Sequence, residues 1–178
     1  NKDTPPAPES VMAVSERVGP SDEAIRLGGL PRELGEVVPR GAPALAQLPA
    51  PEIPAQVSGR EELAHWVGDP RNPLTSRVYV NRVWRHVFGE GLVRTPDNFG
   101  VMGERPSHPE LLDHLALAFM QEGWSTKRLI RSLVLSRAYR MEATPPLASD
   151  HENRLFSRAN RRRLDADAMR DALLSVSG

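Results

Sequence analysis

The stretch Asn72–Gly89 reads NPLTSRVYVNRVWRHVFG, and it decides the fold because it carries the start, the apolar face and the end of one long helix. Asn72 followed by Pro73 is an N-cap with proline at the first helical position, and Gly89 is a typical C-cap. Between these signals apolar side chains recur with the 3.6-residue period of an α-helix, namely Tyr79, Val80, Val83, Trp84, Val87 and Phe88. We therefore predict a helix from Leu74 to Phe88.

Two polar side chains, Arg77 and Asn81, fall on or beside this apolar face. Buried polar groups are normally hydrogen-bonded. One interpretation is that both residues fix helix packing by satisfying buried backbone groups or an acidic partner. The other is that they line a pocket. We keep Arg77, Asn81 and Trp84 as candidate binding residues.

Helix signals continue through the rest of the chain. Start signals are present at four more places: Ser58 with Glu61, Ser107 with Glu110, Ser125, and Ser149 with Glu152. A last helix is expected through Ala168 and Leu173, where apolar residues recur at helical spacing. The fold class is therefore mainly α, a bundle of about six helices.

Residues 1–57 have a different composition. Their ten prolines forbid a long helix, because each proline removes an amide donor and restricts the residue before it. Short strands are the elements that fit, at Ser10–Val14, Ala24–Leu27 and Gly35–Val38. We interpret residues 1–57 as a proline-rich N-terminal arm with short strands and residues 58–178 as a helical domain. Because the chain ends just after the apolar run Leu173–Val176, we expect this domain to be truncated at its C-terminus.

Composition limits the range of functions. The chain has 23 basic and 23 acidic residues, so no net charge draws the whole molecule to nucleic acid or to an anionic membrane. It contains no cysteine, which rules out a disulfide, a thiolate metal site and a c-type haem attachment within these 178 residues. No apolar run is long enough to cross a bilayer. We predict no cofactor or metal, no nucleic-acid partner and no membrane insertion by this chain.

The run Arg161-Arg162-Arg163 is a local exception to this charge balance. At the i, i+4 spacing of a helix, Arg161 reaches Asp165 and Arg163 reaches Asp167. We expect ion pairs at a helix junction here, and not a contact with nucleic acid.

The connection between Gly89 and Ser107 is about 17 residues long and has no helix or strand pattern. Loops longer than about 12–15 residues tend to be functional or disordered. Its apolar residues favour an ordered loop with its own anchors, which are Leu92, Val93, Phe99, Val101 and Met102. We interpret this loop as the best place for a binding surface, with Arg94, Asp97, Asn98, Arg105 and His108 as candidates.

Asp97 has two possible roles. It follows Pro96, so its carboxylate suits an Asx turn that accepts the next amide hydrogens, with Arg94 and Arg105 near in sequence to pair with it. The alternative role is contact with a ligand or partner.

The residues form no recognisable catalytic constellation. His108 lies five positions before Asp113 and six before His114, and neither spacing places two ligands on one helical face. The chain has no G-x-S-x-G elbow and no phosphate-binding glycine loop. A metal site from His86, Asp97 and His108 requires the long loop to fold back. We predict no catalytic residue and no metal ligand, and favour a protein that is not itself an enzyme.

Several long motifs occur in a fixed order: VNRVWRH at 80–86, GLVRTP at 91–96, DNFG at 97–100, HPELLD at 108–113, GWS at 123–125 and NRRRL at 160–164. From about Val11 onward the chain resembles a planctomycete-specific family of unknown function, domain of unknown function 1553. The resemblance implies a position near the C-terminus of large exported proteins, periplasmic or at the cell surface. Such proteins often carry a c-type cytochrome domain, so haem is expected in a neighbouring domain. The family supplies no established catalytic residues.

Two hypotheses on function follow. The favoured one is a binding or structural module whose partners are the neighbouring domains of the same exported chain. The alternative is an accessory domain of a redox-linked or polysaccharide-directed enzyme, in which the 89–107 loop completes a site supplied by another domain.

Overall fold

The structure is a computed structural model that describes residue 15 and residues 19–43 and 48–178. These residues contain two short strands and five α-helices, and they divide into two compact units, one ending at Asn72 and one covering Pro73–Gly178. The mainly α class is confirmed, but the described helices number five and not six.

The described part of the first unit contains a hairpin. Strand β1 (Glu23–Arg26) pairs antiparallel with β2 (Leu34–Val38), and the register is irregular between Ala24 and Arg26. Both predicted strands here are confirmed to within one residue at each end. The third predicted strand, Ser10–Val14, lies outside the described residues.

Helix α1 (Arg60–Gly68) follows in the same unit. Its N-cap position is held by Gly59 in a left-handed conformation (φ 85°), one residue later than the predicted cap at Ser58. The Ser58 hydroxyl still contributes, because it accepts a hydrogen bond from the Arg60 amide at 3.3 Å.

Helix α2 (Thr75–Phe88) opens the second unit. Leu74 takes the N-cap position, so the helix begins one residue later than predicted and Asn72 is not the cap. The predicted end is confirmed, since Gly89 is the C-cap and its amide donates to the Arg85 carbonyl at 2.8 Å.

Helices α3 (Pro109–Gln121) and α4 (Thr126–Val134) contact each other and are joined by a four-residue connection. At the start of α3 the N-cap position belongs to His108, and the predicted cap Ser107 instead pairs its hydroxyl with the His108 ring at 3.0 Å. At the start of α4 the prediction is confirmed, because the Ser125 hydroxyl accepts a hydrogen bond from the Arg128 amide.

The core lies where α2, α3 and α4 meet, and two residues of the long loop complete it. Its buried apolar members are Val80, Trp84, Leu92, Val93, Leu112, Phe119, Leu129 and Leu133. Tyr79 of α2 stacks on Phe119 of α3 at 5.1 Å between ring centroids, which joins these two helices. Within α2, Trp84 stacks on Phe88 at 4.1 Å. This three-helix core is the scaffold from which the loop projects.

The predicted fifth helix at Ser149–Glu152 is wrong, because the segment is an irregular loop built on a buried carboxylate. Asp150 accepts hydrogen bonds from the amides of Arg154 and Leu155, at 2.7 and 3.1 Å, and from the Ser157 hydroxyl at 3.2 Å. Burial raises the pKa of Asp150, but these hydrogen bonds and the Arg158 charge outweigh it, so the pKa lies below its ordinary value. The amides that a helix would use internally are bound to this side chain instead.

The last predicted helix is confirmed as α5 (Ala166–Ser177), which Asp165 caps by accepting a hydrogen bond from the Ala168 amide at 2.7 Å. No residue of α5 is buried. Its apolar side chains at Leu173, Leu174 and Val176 are exposed.

The predicted ion pairs of the arginine run do not form within the described residues. Arg161 donates to the Ala143 carbonyl, and Arg162 donates to the carbonyls of His86 and Val87. Helix α5 begins only at Ala166, so the i, i+4 spacing on which those pairs depended is absent.

None of the helices described above combines the length and the apolar character that a membrane span requires.

Candidate binding cleft

The long loop between α2 and α3 is closed at its base and anchored in the core. The Ser107 amide donates to the Leu92 carbonyl at 2.9 Å, so the two ends of the loop meet. Leu92 and Val93 are buried among the core side chains. The loop is therefore a compact excursion from the bundle, with its base fixed.

Asn81 holds this base from the side of α2. Its amide nitrogen donates to the Val93 carbonyl at 2.9 Å, and its amide oxygen accepts from the Val93 amide at 2.8 Å. The Asn81 side chain and the Val93 backbone approach closely because Gly91 has no side chain. A Cβ at Gly91 would lie 2.4 Å from the Val93 carbonyl oxygen. The packing interpretation of Asn81 is confirmed, since this fully buried side chain satisfies both backbone groups of one loop residue.

Arg94 ties the loop to the 150–160 segment. Its guanidinium donates to the Glu152 backbone carbonyl at 2.7 Å and reaches the Glu152 carboxylate at 3.5 Å. The hydrogen bond from Arg154, then the charges of Arg154 and Arg94, hold the pKa of Glu152 below its ordinary value. Arg94 is thus occupied in holding the loop.

Thr95 organises the turn that we had assigned to Asp97. Its hydroxyl donates to the Asn98 carbonyl and accepts from the Glu104 amide, both at 3.0 Å, and the Asn98 amide donates back to the Thr95 carbonyl. Asp97 is exposed. Among the described residues, none donates a hydrogen bond to its carboxylate and none forms an ion pair with it. The predicted Asx turn and the pairing of Asp97 with Arg94 or Arg105 are therefore wrong.

The tip of the loop is an exposed apolar turn. The Gly103 amide donates to the Gly100 carbonyl at 2.9 Å, and this bond directs the two central residues outward. Val101 and Met102 have relative exposures of 103% and 86%, so they are not the anchors we predicted. Gly103 is required here, because a Cβ would lie 1.8 Å from the Asn98 carbonyl oxygen.

Beneath this tip lies a cleft of about 400 Å³ between the loop and the facing turns of α2 and α3, which we call the loop cleft. Arg77 forms part of its wall and is fixed there, since its Nε donates to the Asp113 carboxylate at 2.6 Å and its Nη1 to the Pro73 carbonyl at 2.7 Å. The remaining walls are apolar or charged and include Val93, Phe99, Leu112, Glu104, Arg105 and Pro106.

Some charged side chains of the loop cleft form ion pairs and one does not. Arg77 pairs with Asp113 inside it, and Glu104 lies 3.5 Å from Arg154. Arg105 is exposed and forms no ion pair with any residue of the described chain. The cleft therefore combines apolar walls with one arginine whose charge is not matched by a carboxylate.

The predicted site residues do not form a single group. Arg77 and Arg105 line the loop cleft, whereas Asn81 and Arg94 hold the loop from within and Trp84 lies in the core. The indole nitrogen of Trp84 is buried and donates to none of the described residues. The exposed residues Asp97 and Asn98 lie on the loop surface, and the His108 ring lies 6.1 Å from the Phe156 ring.

The cleft residues that sequence reasoning missed are Asp113 and Glu104. Asp113 is 36 positions from Arg77, so no local pattern connects them, and the sequence indicated only that Arg77 would need an acidic partner. Over the described ranges, no three side chains of His, Asp or Glu gather closely enough to hold a metal ion.

The fold and the cleft define a small, mainly α domain that carries a long, anchored loop on a three-helix core. The family model described as PSD1, Protein of unknown function (DUF1553), matches residues 59–178, which is more than half of the chain. The chain belongs to this family. The match begins at Gly59, not near Val11 where we expected the resemblance to start. Neither a curated protein nor a solved structure matches the chain.

Proposed function

We propose that this domain is a non-catalytic binding module, and that it holds a segment of a neighbouring domain at the loop cleft. The observation that carries the proposal is that one set of residues fixes the shape of the loop and a different set is exposed at its tip. Asn81, Arg94 and Thr95 are used to fix its shape, while Val101 and Met102 are presented to solvent at its tip. A rigid loop with an apolar tip loses little conformational freedom on binding, which favours affinity.

The chemistry of the loop cleft indicates what such a segment contains. Phe99 and Pro106 offer apolar wall, and the unmatched guanidinium of Arg105 offers planar, bidentate recognition of a carboxylate. A segment with an acidic residue beside an apolar one fits both features. Arg77 is less available, because Asp113 and the Pro73 carbonyl already occupy it.

The setting we propose is a large exported protein with this domain among several others, including a c-type cytochrome domain. The support is the resemblance set out above together with membership of the family. The chain contains no cysteine, so a covalently attached haem would belong to the neighbouring domain.

Hydrogen exchange tests the proposal on the parent polypeptide. We expect amides at 98–105 to exchange more slowly in a polypeptide that includes the flanking domains than in the 178-residue chain. The double change Val101→Ser and Met102→Ser should abolish this protection, because it removes the apolar tip. The matched control is Leu117→Ser, which changes an exposed apolar side chain that lies on α3 and not on the loop tip. Equal exchange with and without the flanking domains would overturn the proposal.

The accessory-enzyme hypothesis predicts a different result. In that case Arg105→Ala lowers an activity of the parent polypeptide even where the exchange rates at 98–105 are the same with and without the flanking domains.

A further inference from the structure

A second cavity, of about 280 Å³, lies at the C-terminal end of α2, and its walls combine three aromatic rings with two arginines. We call it the arginine–aromatic cavity; its defining residues are Phe88, Tyr139, Phe156, Arg158 and Arg162. The Phe88 ring meets the Tyr139 ring at 6.0 Å and 81°, and the Phe156 ring at 6.2 Å and 72°. Edge-to-face contacts are a favoured geometry for aromatic pairs, so these contacts fix the Tyr139 and Phe156 rings against Phe88 in the wall of the cavity.

Arg158 is held in place by backbone carbonyls. Its Nη1 donates to the Asp150 carbonyl at 2.9 Å and its Nη2 to the His151 carbonyl at 2.7 Å. A guanidinium has five N–H donors, so these two bonds leave others for a ligand.

Arg162 is held in the same way at the end of α2. Its Nη1 donates to the His86 carbonyl at 2.6 Å and its Nη2 to the Val87 carbonyl at 3.0 Å. Neither arginine forms an ion pair with a carboxylate of the described chain. Both side chains are therefore positioned by neutral acceptors and keep their charge.

The C-terminal end of α2 and the Asp150 carboxylate offset the two arginine charges only in part. The C-terminus of a helix carries the equivalent of about half a negative charge, less than the full charge of Arg162. The Asp150 carboxylate acts on Arg158, but its oxygens are already surrounded by the amides of Arg154 and Leu155 and the Ser157 hydroxyl. The cavity thus keeps a positive character beside its aromatic walls.

We propose that the arginine–aromatic cavity binds a small anion that carries an aromatic ring, of the class of the aromatic carboxylates. The ring packs against Phe88, Tyr139 and Phe156, and the carboxylate accepts hydrogen bonds from Arg158 and Arg162. This cavity shares no lining residue with the loop cleft. The proposal of an aromatic-carboxylate site can therefore be tested independently of the proposed function.

Calorimetric titration of the 178-residue chain with 2-naphthoate tests this site. We expect saturable binding that weakens as sodium chloride is added, because the salt screens the arginines. Two further probes separate the contributions: 2-naphthalenemethanol keeps the rings without the charge, and acetate keeps the charge without the rings. Each should bind at least about tenfold more weakly than 2-naphthoate, because it lacks either the charge-assisted bonds or the aromatic contacts.

The variant Arg162→Met should weaken 2-naphthoate at least about tenfold, whereas its neighbour Arg163→Met, which changes an arginine outside the cavity, should leave the affinity unchanged. Tyr139→Leu alters the aromatic wall at an exposed position and should also weaken binding, which keeps the test decisive if Arg162→Met fails to fold. Absence of saturable binding, equal affinity for the neutral alcohol, or equal losses in Arg162→Met and Arg163→Met would each overturn the proposal.

Discussion

Asn81 shows how one polar side chain on an apolar helical face determines the shape of a loop. It is buried, and both of its amide atoms bond to Val93, twelve positions later. A leucine at this position would fill much the same volume but leave the Val93 amide and carbonyl without partners.

We predict that Asn81→Leu destabilises the second unit by about 2–6 kcal/mol, because it leaves two buried groups unsatisfied and each costs about 1–3 kcal/mol. Urea denaturation measures the loss. The control is Arg82→Leu, which makes the same kind of change at the exposed neighbouring residue, and it should cost no more than about 0.5 kcal/mol. Equal losses in the two variants would contradict the role assigned to Asn81.

Thr95 takes the role in the turn that the sequence analysis assigned to Asp97. Because the Thr95 hydroxyl makes two hydrogen bonds in the turn, Thr95→Val should cost about 1–2 kcal/mol. Asp97→Ala should change stability by no more than about 0.5 kcal/mol, since the exposed carboxylate has no described partner. Thermal melts of the two variants check this order, and a larger loss for Asp97→Ala would reverse it.

Asp150 gives the molecule a specific dependence on pH. The pKa of Asp150 is lowered in the folded state, so this group adds stability above the unfolded pKa of about 4, and the contribution is lost as the pH falls through the folded pKa. We predict that melting temperature falls less steeply below pH 5 in Asp150→Asn than in the unaltered chain.

The control for the pH prediction is Asp171→Asn, which alters an exposed carboxylate on α5 and should preserve the steep fall. If Asp150→Asn shows the same pH profile as the unaltered chain, the buried carboxylate does not hold the 150–160 segment in the way described.

At the scale of elements, the tip of the long loop depends on one glycine. A Cβ at Gly103 would overlap the Asn98 carbonyl, whereas one at Gly100 would meet nothing within 4 Å. We predict that Gly103→Ala costs about 1–3 kcal/mol as the turn opens, a typical penalty for overpacking, and that Gly100→Ala stays within about 0.5 kcal/mol. Urea denaturation of the two variants compares them, and similar losses would show that the turn yields without strain.

Elements with local signals were predictable from the sequence, and those that depend on distant residues were not. Gly89 ends α2 and Ser125 caps α4 because a C-cap glycine and an N-cap hydroxyl act on adjacent residues. The pattern Ser149 with Glu152 looked like another cap. The helix is absent there because the intervening Asp150 binds the amides that follow, and a capping box does not distinguish these outcomes.

The same distinction applies to the candidate site. The length and turn residues of the 89–107 loop indicated a binding surface, and Arg77 and Arg105 were among the candidates that line the loop cleft. The pairing of Arg77 with Asp113 was beyond prediction, because it depends on how α2 packs against α3. The exposure of Val101 and Met102 was likewise missed, since it follows from the Gly100–Gly103 turn geometry and not from hydrophobicity.

For the whole molecule, zero net charge and exposed apolar side chains act together on solubility. The chain has a pI of about 7.2, and proteins associate most readily near zero net charge. We predict a solubility minimum near pH 7, relieved by Leu173→Glu more than by Ser175→Glu. Both variants add the same charge to α5, but only the first also removes an exposed apolar side chain. Precipitation assays across pH values check this, and equal relief would assign the effect to charge alone.

The last turn of α2 is completed by residues that lie far along the chain. Asn160 donates to the Phe88 carbonyl across 72 positions, and Arg162 donates to the His86 carbonyl across 76. A ribosome adding about 5–20 residues per second needs about 4–15 s to make the intervening segment. Helix formation takes about a microsecond, so the α2 segment spends millions of times longer than that without the donors of residues 160–162. We therefore expect these carbonyls to be open to other donors until residues 160–162 have left the ribosome.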